Sequence, residues 1–279
     1  MKNSTLLASV LAAVLLVGCR NTSQQSTSDA SAKRFDPAQS DPKALRIADE
    51  VMVALGGREN YEAIKYLSFR YVMEVDEQKV TDWRHDWDRR NNNYRLEGYA
   101  QEAQSLQGDH LLVVFNLDTK KGLVFKNGQL LESENKIEWL NRAYARYTND
   151  TYWLLMPFKL KDPGAVLKYE RSQEIDGIKY DVLRLSYADS VDLRPWNIQH
   201  IFVDPATRLV HRWEYGGKEG ADFSAVWWEN WRVYDGITLA ELRTFENSNR
   251  KIRFLNIVAS RKVDEQIFEV SGISMAKMP

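Results

Sequence analysis

The chain has 279 residues, of which 44% are hydrophobic and 28% are charged, a composition typical of soluble globular proteins. Its 38 basic and 39 acidic residues give a net charge of −1, and no strand-like segment carries a dense run of Lys or Arg. Because nucleic-acid binding needs a basic face that neutralises phosphates, this pattern argues against a nucleic-acid partner. The single cysteine excludes a disulfide within the chain.

The amino terminus has the pattern of a lipoprotein signal peptide. Lys2 precedes an apolar run over residues 6–16, which is shorter than the roughly 20 residues that cross a bilayer core. Residues 16–19 then read Leu-Val-Gly-Cys, which is a lipobox pattern. The sequence therefore predicts cleavage before Cys19 and attachment of acyl chains, palmitate among them, to its thiol. An ordinary cleaved signal and an uncleaved anchor are the alternatives.

Three segments are predicted: a signal peptide over residues 1–18, a flexible tether over 19–40 and a single domain over 41–279. The tether is rich in Ser, Thr, Gln and Asp, and it has too few apolar side chains to offset the entropy cost of ordering. Arg20 favours the outer membrane under the usual Gram-negative sorting rule, so we expect the acylated Cys19 to hold the domain at that membrane, facing the periplasm. Removal of Lys2 with the signal leaves a net charge of about −2.

Two short helices are predicted ahead of the first strand. Ser40 or Asp41 can cap a helix that begins at Pro42 and ends at the glycine pair 56–57, and a second helix covers residues 59–65. The apolar face of the first helix comprises Leu45, Ala48, Met52 and Leu55.

From residue 67 the apolar period changes to two, which indicates strands. The first two strands each have an aromatic face, which we expect to point inward. Asn127 and Gly128 favour a type I′ hairpin turn that pairs Lys126 with Gln129. Turn signals separate the strands without crossover helices, so the sheet should be antiparallel. The predicted strands cover residues 67–75, 81–90, 94–98, 111–118, 123–126, 129–133, 166–173, 178–187, 197–203, 208–215, 223–233, 237–245 and 252–259.

One long helix is predicted between the two groups of strands. Apolar side chains at steps of three and four, from Ile137 to Leu154, form a stripe that must be buried. We expect a break at Asn149, with Asp150 capping a second short helix that Pro157 ends. A closed barrel and an open sheet both fit this number of strands. The stripe favours the open form, a mainly β (α+β) fold in which a strongly curved antiparallel half-barrel sheet holds covering helices in its concave side.

The run over residues 152–164, Tyr-Trp-Leu-Leu-Met-Pro-Phe-Lys-Leu-Lys-Asp-Pro-Gly, resembles the central signature of a family of uncharacterised bacterial lipoproteins. Residues 54–57, 204–207 and 231–237 match its other markers, so the resemblance covers residues 43 to 260. That family is similar to the LolA/LolB-like lipoprotein carriers. The resemblance implies an antiparallel half-barrel with helices in its concave side and acyl chains as cargo. It implies no catalytic residue, because the family has no assigned activity.

Candidate catalytic and metal sites are weak in this sequence. There is no G-x-S-x-G motif, and the only cysteine is expected to be acylated, so we predict that the chain is not an enzyme, with a hydrolase as the alternative. Asp86 and Asp88 fall on the strand face predicted to meet solvent. His200 and His211 flank a turn that contains Pro205, which favours a bulge and a shifted register over direct pairing. We therefore predict no metal site and no cofactor.

Aromatic residues at alternate strand positions are the remaining signal, since the chain has nine Trp, thirteen Tyr and ten Phe. Such residues form either a filled core or the walls of a pocket, and the sequence leaves both open. His85 lies between two tryptophans and needs a polar partner or a water. The candidate ligand-binding residues are Phe69, Tyr71, Met73, Trp83, His85, Trp87, Trp153 and Leu154.

Two functions follow from these patterns. The first is a membrane-anchored periplasmic lipoprotein that binds a lipid or another lipophile in a half-barrel groove, as receptor, carrier or sensor. The alternative is a scaffold with a filled core that docks onto an envelope protein through exposed aromatic residues. Trp196, Trp227 and Trp228 are the candidates for that surface, and one of the adjacent pair must face outward in a strand.

Overall fold

We describe the protein from a computed structural model, which covers residues 34–100, 108–132, 134–187, 198–216 and 223–270. The predicted signal peptide, the lipidation site Cys19, most of the predicted tether and Trp196 lie outside these residues.

The described residues form three α-helices, thirteen β-strands and three short 3₁₀ turns. The helices are α1 (Pro42–Ala54), α2 (Arg58–Ala63) and α3 (Glu134–Leu155), and the 3₁₀ turns span Pro37–Gln39, Met156–Lys159 and Glu265–Phe268. The strands are β1 (Tyr66–Val75), β2 (Gln78–Asp88), β3 (Asn93–Ala100), β4 (Asp109–Asn116), β5 (Gly122–Lys126), β6 (Gln129–Leu130), β7 (Ala165–Ile175), β8 (Ile178–Tyr187), β9 (Ile198–Val203), β10 (Val210–Gly216), β11 (Ser224–Tyr234), β12 (Ile237–Phe245) and β13 (Arg250–Ser260). Within the described ranges, no helix combines the length and the apolar character needed to cross a membrane.

All thirteen strands belong to one antiparallel sheet, in the order β6-β5-β4-β3-β2-β1-β13-β12-β11-β10-β9-β8-β7. The first strand therefore lies in the middle, where β1 pairs with both β2 and β13. Successive hairpins lead outward to the β6 edge, α3 carries the chain to the opposite edge at β7, and further hairpins return to β13. The sheet is curved and does not close, so the predicted half-barrel fold is confirmed.

The core lies between the inner face of the sheet and the helices. One cluster of buried side chains joins α1, α2 and the carboxyl end of α3 to β1 and β7–β13, with Trp213 and Phe254 among its largest members. A second cluster joins the middle of α3 to β2–β5 through residues such as Tyr94 and Leu140. Helix α3 therefore contributes to both clusters, because it crosses the concave side from one edge of the sheet to the other.

Two predicted turns are confirmed in detail. Asn127 and Gly128 have φ angles of 50° and 78°, and Lys126 pairs with Gln129, as a type I′ hairpin requires. Between β9 and β10 the register shifts near His211, so His200 lies opposite Glu214 instead of His211.

The predicted break in the long helix is wrong. Helix α3 runs without interruption through Asn149 and Asp150, because the Asp150 side chain bonds to other side chains instead of capping a new helix. Ile137 is also 61% exposed, since the buried face at this end of α3 follows Leu140 and Ala143. The helix ends at Leu155, before Pro157, as predicted.

The residues ahead of α1 bind an edge strand instead of capping the helix with their side chains. The Ser40 hydroxyl accepts a hydrogen bond from the Leu167 N–H, and the Asp41 carboxylate accepts one from the Tyr169 N–H, both at 2.9 Å. Because β7 is the last strand of the sheet, these bonds satisfy backbone donors that an edge leaves unpaired.

The prediction that Asp86 and Asp88 are solvated is wrong, since both are fully buried. The 3₁₀ turn Glu265–Phe268 covers this part of the convex face and buries Phe268 against Tyr66. Asp86 accepts a hydrogen bond from the Tyr66 hydroxyl at 2.6 Å and pairs with Arg84 at 2.9 Å. Asp88 accepts the backbone N–H groups of residues 90 and 91, so it closes the turn that follows β2.

Candidate functional site

A cavity of about 480 Å³ lies between α3 and the concave face of β1–β4. The sheet contributes mainly apolar and aromatic side chains, whereas α3 contributes small residues together with a line of charged and polar ones. The lining residues are Tyr71, Met73, Thr81, Trp83, Leu96, Ala100, Leu111 and Val113 from the strands, and Trp139, Arg142, Ala143, Ala145, Arg146, Asn149 and Asp150 from α3.

Small residues leave room for this cavity. Gly98 lies opposite Trp83 in the sheet, and a Cβ atom at residue 98 would lie 2.7 Å from the indole ring. The glycine therefore allows the Trp83 ring to lie flat against β3. Above it, the Arg146 guanidinium stacks over the same ring at 4.6 Å, and Ala143 and Ala145 add little volume on the helix side.

A chain of buried polar groups lies at the inner end of the cavity. The Tyr94 hydroxyl lies 2.7 Å from His85 Nδ1, and His85 Nε2 lies 3.2 Å from Asp150 Oδ2. Arg146 Nη1 donates to the same carboxylate oxygen at 3.0 Å, and Asn149 Nδ2 donates to its other oxygen at 2.8 Å. The His85 ring also stacks on Phe69, with centroids 4.6 Å apart. The partner that the sequence required for His85 is thus a tyrosine and an aspartate.

Burial sets the protonation state of this chain of groups. It lowers the pKa of His85, although Asp150 opposes the shift, so the ring is neutral. Burial alone would raise the pKa of Asp150, but His85, Arg146 and Asn149 outweigh it and the pKa is lowered. Burial also raises the pKa of Tyr94 well above its ordinary value. The protonated Tyr94 hydroxyl therefore donates to Nδ1, and the His85 proton sits on Nε2, facing the ionised Asp150.

These shifts predict that the protein loses stability as the pH falls from 7.5 to 5. In the unfolded chain His85 is protonated below its ordinary pKa of about 6.5, whereas in the folded chain burial opposes protonation. Protonation therefore stabilises the unfolded state, and the free energy of unfolding falls as the pH drops below that value. Asp150 adds a further loss only below its ordinary pKa of about 3.9. Urea unfolding should show a smaller drop between pH 7.5 and 5 for His85→Gln than for the unchanged protein.

His211 also has a pKa lowered by burial and contributes to the pH dependence with the same sign. Because it is present in both proteins, it cancels in this comparison. An equal drop in the two proteins would contradict the protonation state assigned to His85.

A larger cavity, of about 640 Å³, lies on the convex face of β1–β4 and β13. Its walls carry charged groups that pair with each other, such as Arg70 with Asp82 and His110 with Glu97. The concave cavity is therefore the one whose lining suits an apolar ligand, although it is the smaller of these two.

Comparison with solved structures gives LolA-superfamily proteins as neighbours, as the sequence resemblance predicts, together with a DUF1329 family protein. A DUF1329 family protein from Desulfovibrio piger is 14% identical, with 82% of this chain and 98% of that chain covered and a TM-score of 0.49. A LolA superfamily protein from Nitrosomonas europaea is 13% identical, with coverages of 82% and 99% and a TM-score of 0.45.

A putative outer membrane lipoprotein-sorting protein domain from Vibrio parahaemolyticus is 12% identical, with 81% of this chain and 96% of that chain covered and a TM-score of 0.44. At these identities the likeness concerns the fold alone. No protein-family model matches the chain, and no curated protein matches it.

The eight ligand-binding candidates fall into three groups. Tyr71, Met73 and Trp83 line the concave cavity. Phe69 and His85 are buried behind it: His85 contacts Asp150, and Phe69 stacks on His85 and borders the convex cavity. The remaining three pack in the core: Trp87 contacts Tyr94 and Tyr147, Trp153 packs on Trp213, and Leu154 is 1% exposed. Ligand binding by these residues stays a prediction.

The outer-surface candidates are placed less favourably for docking. Trp228 is buried, and Trp227 is half-buried on the convex face, so one of the adjacent pair does face outward as predicted. Trp227 packs with Tyr180 and beneath the guanidinium of Arg212. Two of the three predicted tryptophans therefore already have partners within the chain.

The histidines pair with carboxylates instead of gathering around a metal. His110 lies 3.2 Å from Glu97, His200 lies 3.0 Å from Glu214, and His211 lies 3.7 Å from Asp204. Across the described ranges, no group of three or more His, Cys, Asp or Glu side chains is arranged to hold a metal ion.

Sequence reasoning missed Arg142, Arg146 and Asp150 as cavity residues. A signal was present, because Glu138, Arg142, Arg146 and Asp150 recur every four residues and must share one face of a helix. The apolar stripe that predicted the buried side of α3 lies on the neighbouring face of the same helix.

Proposed function

We propose that this protein is a membrane-anchored lipoprotein of the cell envelope that binds a lipophile in the concave cavity. The observation that carries the proposal is the apolar and aromatic wall of that cavity, made by Trp83, Leu96, Leu111 and Val113. Its volume of about 480 Å³ falls in the range of roughly 300–1,000 Å³ that small-molecule sites occupy. A ligand there is held between the sheet and α3.

We propose further that this binding is not coupled to catalysis. The cavity has a His–Asp pair nearby, but His85 Nδ1 already accepts from a buried tyrosine that stays protonated. Its Nε2 faces Asp150, so neither ring nitrogen is directed at a nucleophile in the cavity. This arrangement suits a rigid polar support for α3 better than a general base.

Filling the cavity should abolish binding of an apolar ligand. Ala143 lines the cavity from α3 and is 2% exposed, so Ala143→Phe directs a ring into the space that the ligand needs. Asn141→Phe is the matched control, since residue 141 is exposed on the same helix and lies outside the lining. Ligand binding by the two variants is measured with the neutral fluorophore N-phenyl-1-naphthylamine and its displacement by 1-alkanols.

The alkanols should displace the fluorophore from the unchanged protein and from Asn141→Phe. Each added methylene should tighten the Kd by about fourfold until the cavity is full, because burying one methylene contributes about 0.8 kcal/mol. The Ala143→Phe variant should bind neither the fluorophore nor the alkanols. Fluorophore binding that survives Ala143→Phe unchanged would locate the site elsewhere, and no binding by any of the three would remove the proposal.

The anchor is tested separately. Cys19→Ala should leave the folded domain intact, because no contact in the described residues uses residue 19, yet it should abolish cleavage after Gly18 and acylation. Two or more acyl chains give stable membrane attachment where one gives only marginal binding. Fractionation with metabolic palmitate labelling measures this. Label retained by Cys19→Ala, or an unlabelled unchanged protein, would contradict the lipoprotein assignment.

A further inference from the structure

Helix α3 presents a ladder of four charged side chains along one face. Glu138, Arg142, Arg146 and Asp150 are spaced by four residues, and their signs run negative, positive, positive, negative. Each arginine pairs with the carboxylate one turn away toward the end of the ladder: Arg142 contacts Glu138 at 2.5 Å, and Arg146 contacts Asp150 at 3.0 Å. The two arginines in the middle are left as like-charged neighbours, an arrangement that costs free energy on a helix.

Both arginines line the concave cavity, and the aromatic rings beside them carry no charge. Arg142 stacks over Trp139 at 4.7 Å, and Arg146 stacks over Trp83 at 4.6 Å. These contacts hold the two guanidinium groups without neutralising them. The cavity therefore combines an apolar wall on the sheet with two adjacent guanidinium groups on the helix, one of which pairs with the Asp150 carboxylate in the same lining.

The two arginines differ in how firmly their carboxylates are held. The side chains of Arg142 and Glu138 are 60% and 57% exposed, so their pairing is weak and exchangeable in water. The Asp150 side chain is 2% exposed and stays with Arg146, whose five N–H donors exceed the one that this contact uses. An incoming anion can thus replace Glu138 on Arg142 and add to Asp150 on Arg146.

Resting on the proposed function, we propose that the ligand is an anionic amphiphile. Its carboxylate or phosphate headgroup lies between Arg142 and Arg146, and its apolar tail lies along Trp83 and Val113. Guanidinium groups suit this role because they form charge-assisted, often paired, hydrogen bonds to both kinds of headgroup. The headgroup fills the gap between two like charges.

Calorimetry with four probes of one chain length tests this: dodecanoate, dodecyl phosphate, dodecanol and dodecyltrimethylammonium. The full-length mature protein should bind dodecanoate, dodecyl phosphate or both about tenfold or more tightly than dodecanol, and the cationic probe less tightly than dodecanol. The two anionic arms distinguish a fatty-acid-like headgroup from a phosphate-bearing one, and a tenfold preference in either supports the proposal.

Three variants assign the preference to the ladder, with the ratio of anion affinity to dodecanol affinity as the readout. Arg142→Gln should reduce this ratio severalfold, whereas Glu138→Gln, which frees Arg142, should increase it. Lys136→Gln is the charge-matched control, since it removes a cation from the same helix outside the cavity lining, and its ratio should equal that of the unchanged protein.

The outcomes separate the two proposals. The proposal of an anionic ligand would be overturned if dodecanol and the anions bound equally well, or if the affinity ratio fell as much in Lys136→Gln as in Arg142→Gln. The proposal of a lipophile site would be unaffected by either result. Failure of all four probes to bind would remove the lipophile site itself, and the headgroup assignment with it.

Discussion

Replacing Arg146 with methionine is expected to lower the free energy of unfolding by roughly 3 kcal/mol, which urea denaturation at pH 7.5 measures. The change leaves the Asp150 carboxylate, whose side chain is 2% exposed, without its cationic partner. A buried charge that loses its partner is costly, because it has neither water nor a counterion to stabilise it. The neutral His85 cannot replace the guanidinium.

Two further variants make this prediction specific. Arg142→Met removes the same kind of i, i+4 pair from the same helix, but the pair with Glu138 is exposed, so the expected loss is below about 1 kcal/mol. Arg146→Met combined with Asp150→Asn removes the orphaned charge and should recover more than half of the loss. Equal losses for the Arg146 and Arg142 variants would contradict the buried network.

Replacing Arg243 with methionine is expected to cost about 3 kcal/mol for a different reason. Arg243 is fully buried, and within the described residues no carboxylate lies at ion-pair distance from it. Its guanidinium donates to the Trp153 carbonyl at 2.7 and 3.2 Å and to the Ala240 carbonyl at 3.1 Å, and it stacks on the Trp228 ring at 3.5 Å. Methionine fills part of the space but removes the guanidinium donors from these carbonyls.

The Trp153 carbonyl belongs to the last turn of α3, where carbonyls have no partner within the helix. Hydrogen exchange at the carboxyl end of α3 should therefore accelerate in Arg243→Met, alongside the lower stability in urea. Arg232→Met is the control on the neighbouring strand, because Arg232 is 69% exposed beside Glu241 and should cost less than about 1 kcal/mol. Exchange that is unchanged at α3 would show that Arg243 does not hold this end of the helix.

The hairpins within each group of strands were predictable because they depend on local signals. Alternating apolar and polar faces indicated the strands. The turn residues Asn127 and Gly128 predicted the exact register of one hairpin. The pairing of β1 with β13 joins the two groups of hairpins and leaves α3 between the two edges of the sheet; it depends on residues far apart in the chain and was not predicted. The open half-barrel followed from the apolar stripe on the helix, which needed a concave surface to cover it.

Two of the errors in the predictions involve contacts between residues far apart in the chain. Asp150 looked like a helix cap because its partner His85 lies 65 positions earlier. Asp86 looked solvated because the turn that covers its face, Glu265–Phe268, follows it by almost 180 positions. The burial of Asp150 and of Asp86 could not be predicted from the neighbouring sequence, because the local pattern is the same whether or not a distant segment covers the residue.

The sequence predicted the aromatic character of the candidate site but not which of the aromatic residues line the cavity. Tyr71, Met73 and Trp83 were candidates from their alternate positions, yet the same pattern includes Trp153, which packs on Trp213 in the filled core. Whether facing side chains meet depends on local differences in size, such as the missing Cβ at Gly98. Arg243 did leave a signal, since it is in phase with the inward residues of β12 and is a cation where an apolar side chain is expected.

Photo-crosslinking of the mature protein with a diazirine-bearing fatty acid, mapped by mass spectrometry, tests the binding site most directly. The proposed function predicts labelling of residues that line the concave cavity, such as Met73 and Trp139, which excess dodecanoate suppresses and Ala143→Phe abolishes. Labelling confined to the convex cavity, at residues such as Tyr99 and Val258, or labelling that excess dodecanoate does not reduce, would contradict it.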